Sequence, residues 1–152
     1  MEFENAEQLK GYLSERFGIT MPNEIRMKQT KSHGIRLYSP SVSTKHVFGL
    51  EGFMAYSKNT GLSPYFLQLI GHLAKKSIIA LNKRDAIDYA SGKPLKKKLS
   101  AQQEQGLVVL SYKNHILGYG ILEGKGTIKF PMKEKIKRNL VNDVATYPGR
   151  NL

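Results

Sequence analysis

The sequence predicts an α+β protein: an N-terminal α+β segment, residues 1–74, followed by a small β-barrel, residues 75–152. Three observations lead there. An early helix-spaced apolar run gives way to short alternations, the hallmark of mixed elements. After residue 75 short strands dominate around a single capped helix. The charge also changes at that boundary. Residues 75–152 hold 16 Lys and Arg against 6 Asp and Glu, whereas residues 1–74 hold 8 against 6, out of a total of +12.

Asn5 with Gln8 is the pattern of an N-cap and its capping-box partner, and Leu9, Tyr12, Leu13 and Phe17 recur at helical spacing. A helix over Ala6–Phe17 stopped by Gly18 follows. From Glu24 to Tyr38 the alternations Ile25/Met27 and Ile35/Leu37, broken by Ser32-His33-Gly34, predict a β-hairpin. A further strand is expected over His46–Tyr56, with Gly49 and Gly52 as bulge or close-approach positions. Ser63-Pro64 opens a helix carrying Tyr65, Phe66, Leu69, Ile70 and Leu73.

In the second half a strand over Ser77–Leu81 leads to Asn82, the cap of a short helix over Lys83–Ser91 ended by Gly92 and Pro94. A polar, Lys- and Gln-rich connection with exposed backbone comes next. The run Gly106–Leu110 is the most β-like in the chain; Lys113-Asn114-His115 is its turn and Ile116–Leu122 the return strand. Gly124-Lys125-Gly126 then turns into Thr127–Phe130, closed by Pro131, and only the tail after Val141 is loosely patterned.

Composition narrows the chemistry. Without cysteine, disulfides, thiolate metal sites and cysteine nucleophiles are excluded. His33, His46, His72 and His115 are too scattered to suggest a metal site, and no carboxylate pair stands out as acid and base. No window reaches the roughly 18 apolar residues of a membrane span. The start, Met-Glu-Phe-Glu-Asn, lacks the order of a secretory signal, so the expectation is a soluble cytoplasmic protein without a membrane partner.

The cations concentrate in two windows, Lys75–Lys98 at +6 and Lys125–Arg138 at +5, on either side of the Gly106–Leu122 hairpin. Clustered positive charge on a folded element is the footprint of a phosphate-backbone binder. The first set is Lys75, Lys76, Lys83, Arg84, Lys93, Lys96, Lys97 and Lys98; the second is Lys129, Lys133, Lys135, Lys137 and Arg138. Lys129 alternates with Ile128 and Phe130, so in a strand it points away from the core. Gly118 and Gly120 flank Tyr119. Two glycines at period 2 mark either close approach by a ligand or, with more weight, the kinks a small barrel needs. Tyr119 and Tyr112 offer rings for base stacking or, more often for tyrosines in short strands, for half-buried packing.

The stretch Asp85–Arg138 resembles a PUA domain, the RNA-binding module at the C-terminus of Sun-type RNA cytosine-5 methyltransferases. The residues that carry the likeness are Ala86-Ile-Asp-Tyr-Ala-Ser-Gly92-Lys-Pro-Leu95 and Gly106-Leu-Val-Val-Leu-Ser-Tyr112. Leu117-Gly118-Tyr119-Gly120 and Ile128-Lys-Phe-Pro-Met-Lys133 continue it, with Arg138 close behind. An α+β segment ahead of it is similar to the pre-PUA/PUA arrangement of ribosome-biogenesis factors. The resemblance implies a PUA-like barrel that grips structured tRNA or rRNA; Tyr119, as a ring that could stack, is counted among the expected RNA-contacting residues. It implies a role in RNA modification or ribosome biogenesis, beside a separate modifying enzyme or assembly factor. Those methyltransferases act through cysteine on a large α/β domain, and this chain has neither, so the expectation is a non-catalytic protein with no cofactor. The alternative is a protein–protein adaptor whose basic face meets an acidic partner; a small RNA-processing enzyme is a more distant third.

Overall fold

Asn5 opens the first helix as its spacing requires: its side chain accepts from the Gln8 N–H at 2.9 Å, and the Gln8 side chain accepts from the Glu4 N–H at 2.8 Å. In the computed structural model, which describes residues 2–31, 34–39, 52–98 and 103–130, this helix is α1, Ala6–Phe17. Gly18 ends it at φ +65°, a left-handed conformation that costs glycine nothing. Leu9, Leu13 and Phe17 are fully buried.

The chain divides into two units, Met1–Lys76 and Ser77–Leu152. In the first, α1 is followed by an antiparallel sheet in the order β1-β2-β3-β4: Arg26–Gln29, Ile35–Tyr38, Phe53–Ser57 and Gly61–Leu62. The Ser32-His33 part of the expected first hairpin and the early part of the expected 46–56 strand lie outside the described residues. Phe3 stacks edge-on against Tyr56 and tilted against Tyr12, with ring centroids 5.1 and 5.3 Å apart. The second helix, α2, spans Pro64–Ile70 with Ser63 as cap, and a 3-10 turn over Gly71–Leu73 continues it. It buries Phe66, Leu67 and Ile70, while Tyr65 and Leu69 face outward. Helical spacing alone had grouped all the large residues on one face.

The second unit is a five-stranded, curled half-barrel sheet in the order β5-β7-β8-β9-β6. Its strands are β5 Ile78–Ala80, β6 Leu95–Lys96, β7 Gly106–Tyr112, β8 His115–Glu123 and β9 Thr127–Lys129. β5 lies parallel to β7, and every other pairing is antiparallel. The β7–β8 turn is only Lys113-Asn114, both at positive φ; His115 already pairs with Tyr112. Helix α3, Lys83–Ala90, is capped by Asn82 and lays Ala86, Tyr89 and Ala90 on a core of Leu95, Val108, Leu110, Leu122 and Ile128.

Gly120 serves this core. A Cβ there would sit 2.4 Å from Ile128 Cγ2 and 3.3 Å from both Leu110 Cδ1 and Phe130 Cε1. The close approach at Gly120 therefore comes from the unit's own side chains. Phe130 in turn meets the Tyr89 ring edge-on at 4.2 Å.

Candidate nucleic-acid interface

The basic segment after Pro94 is not the exposed connection expected from its polarity. Leu95 is buried at 4% exposure and anchors it, and Leu95-Lys96 pairs with Ile128 and Thr127 of β9. One residue on, the Lys97 N–H donates to the Gly126 carbonyl at 2.8 Å. This edge of the sheet therefore brings the Lys96–Lys98 trio against the Gly124–Gly126 turn, whose middle residue is Lys125.

The trio does not act as a unit. The Lys97 ammonium is bound to the Asp85 carboxylate, with both side chains only about a fifth exposed. Asp85 is the third residue of α3, so this pair ties the first turn of the helix to β6 and brings Lys83 and Arg84 to the same edge. Lys96 and Lys98 remain exposed. Of the other expected cations, Lys93 reaches Asp88 at 3.5 Å and Lys129 reaches Glu123 at 2.8 Å. Both are solvated pairs whose members stay available for exchange with a phosphate.

Around this edge Lys83, Arg84, Lys96, Lys98 and Lys125 are exposed and have no carboxylate partner among the described residues. Lys125 is the member that reading the sequence did not single out. Its signal was there: a lysine between two glycines, held at φ +62° with its side chain exposed. Lys75 and Lys76 belong to the first unit, where both main-chain N–H groups donate to the Phe17 carbonyl, at 2.8 and 3.2 Å. Lys133, Lys135, Lys137 and Arg138 lie outside the described residues.

Tyr119 is corrected. It is 5% exposed, and burial raises its phenol pKa. Its partner strand opposes it with Val109, itself fully buried, so the ring is a packing group and not a platform for a base. Tyr112 is half-buried, with the Lys113 ammonium 5.6 Å from its ring centroid.

Among the described residues no three His, Asp or Glu side chains gather as metal ligands, and no buried side-chain polar atom lacks a partner. No described helix is long and apolar enough to cross a membrane. The chemistry on display is a cationic edge on a folded half-barrel. No protein-family model and no curated protein matches the chain.

Proposed function

We propose that the chain is a non-catalytic RNA-binding protein whose second unit, a PUA-like domain, grips structured tRNA or rRNA in RNA modification or ribosome biogenesis. The observation that carries the reading is the cluster of Lys83, Arg84, Lys96, Lys98 and Lys125. A helix terminus, a sheet edge and a turn converge through the Lys97–Asp85 pair and the Lys97–Gly126 bond. Unpaired lysine and arginine side chains on a rigid frame suit phosphates, because no existing ion pair has to be broken first. Phosphate contacts of this kind read no base edge, so binding follows RNA shape and phosphate position more than sequence.

The test is RNA retained by the protein when it is purified without nuclease, followed by filter binding of that RNA against rising salt. One enriched tRNA or rRNA region, bound in a salt-sensitive way and weakened by Lys96→Glu with Lys98→Glu, supports the reading. Featureless or absent RNA overturns it and leaves the basic edge as a docking face for an acidic protein.

A further inference from the structure

Two turns of the half-barrel hold a lysine where the backbone favours glycine. Among the described residues, positive φ outside glycine occurs at Ser77, Lys113, Asn114 and Lys125. Lys113 and Asn114, at +46° and +64°, make the two-residue turn between β7 and β8. Lys125, at +62°, is the middle of the turn between β8 and β9. This left-handed region crowds the Cβ of an L-residue, and Asn or Gly is the usual occupant of such turns. Lys125 has a glycine on each side, yet it takes the left-handed position itself. Backbone strain of this kind collects at sites that bind. Both lysines are exposed and neither has a carboxylate partner among the described residues. The Lys113 ammonium lies 5.6 Å from the Tyr112 ring centroid, a contact that orients the charge without neutralising it.

The strand ladder brings Lys113 to the basic edge. Ala80 of β5 pairs with Ser111 of β7, and the Leu81 N–H donates to the Ser111 carbonyl at 2.7 Å. The cap of α3 follows at once, so Asn82, Lys83 and Arg84 begin beside the end of β7 that leads into Lys113. On the same turn of helix Asp85 holds Lys97, whose N–H reaches Gly126 of the other lysine turn. The first turn of α3 is thus bonded towards both. The two turns lie at opposite ends of the nine-residue β8, a separation of up to about 30 Å at roughly 3.4 Å per residue.

Resting on the RNA reading, we infer that Lys113 is a further phosphate contact and that the RNA is a double-stranded stem laid across both lysine turns and the first turn of α3. Cations fixed this far apart call for phosphates that hold their own spacing, which a duplex supplies and a flexible strand does not. Single strands are gripped largely by stacking bases on aromatic rings. The two tyrosines of the β7–β8 hairpin are committed elsewhere: Tyr119 is buried, and Tyr112 packs half-buried against the core. A duplex needs no such ring, because it is held through its shape and its backbone.

The experiment measures filter binding of a blunt RNA duplex of about 16 base pairs, the span of a double-stranded-RNA-binding domain, to the full chain against rising salt. Lys113→Asn removes the charge and relieves the turn. It should shift the denaturant midpoint upward and lower the log–log salt slope by about 1, and by about 2 when combined with Lys125→Ala. Lys113→Arg keeps the charge and should keep the slope. An unstructured single strand of the same length should bind at least about tenfold more weakly, since each phosphate contact releases less counterion there. Duplex binding whose slope is unchanged in Lys113→Asn overturns the hairpin contact and leaves the basic edge standing. Equal affinity for the single strand overturns the stem. A wild-type chain that binds neither RNA overturns the RNA reading itself, and this inference with it.

Discussion

The Tyr89 hydroxyl on α3 donates to the main-chain carbonyl of Tyr119 on β8, 3.2 Å away across the core of the second unit. The same ring packs edge-on against Phe130 after β9. One side chain thus ties the helix to the strands whose far edge carries the basic cluster.

Burial pushes the Tyr89 phenol pKa well above its ordinary value of 10.0, with the neighbouring Tyr119 adding to the shift. The folded state therefore favours the neutral phenol. Its contribution is complete below about pH 10 and is lost as the pH rises beyond, because the unfolded chain then releases the proton more readily. Tyr89→Phe should lower stability by about 1 kcal/mol at neutral pH, the worth of one hydrogen bond, and flatten the alkaline loss. Urea unfolding followed from pH 7 to pH 11 checks both; an alkaline limb unchanged by the substitution would rule this origin out.

Reversal of Lys96 and Lys98 together should weaken RNA binding at least about tenfold with the fold intact, since neither holds a carboxylate among the described residues. Lys97→Glu should behave differently. It sets a second carboxylate against Asp85 and should cost about 1–3 kcal/mol of stability, between the surface and buried extremes. Parallel thermal unfolding and filter binding separate the two effects.

With about five phosphates engaged, affinity should fall ~10²-fold or more between about 50 and 200 mM salt. Lys125→Ala should reduce the slope of the log–log salt plot by about 1, as each lost phosphate contact does, and Lys93→Ala by less because Asp88 already partners it. Equal slopes for wild type and Lys125→Ala would remove the turn from the interface.

Gly120→Ala should destabilise by about 1–3 kcal/mol, because the added methyl falls 2.4 Å from a fully buried Ile128. Gly61→Ala in the first unit meets nothing within 4 Å, so its cost should come only from its φ of +74°. Denaturant midpoints for the pair test whether Gly120 is a packing residue; a neutral Gly120→Ala would reopen that position to a ligand.

The sequence by itself determined the α+β class, the helix at Ala6–Phe17, the Ser63-Pro64 and Asn82 helix starts and the β7–β8 hairpin. Caps, glycine stops and apolar period are short-range signals, settled by neighbours a few residues apart. The total charge and its bias to the second half were equally plain. Tertiary structure decided the rest. Leu95-Lys96 became a strand because Leu95 is buried opposite Ile128, a pairing between distant segments that no local pattern records. That pairing committed Lys97 to Asp85, brought Lys125 beside Lys96, and separated the cations by role. Tyr119 took the packing role over the base contact, and Tyr65 faces outward although its spacing placed it with the core residues of α2. Which face of a strand or short helix is covered depends on what packs against it, and only the folded chain supplies that neighbour.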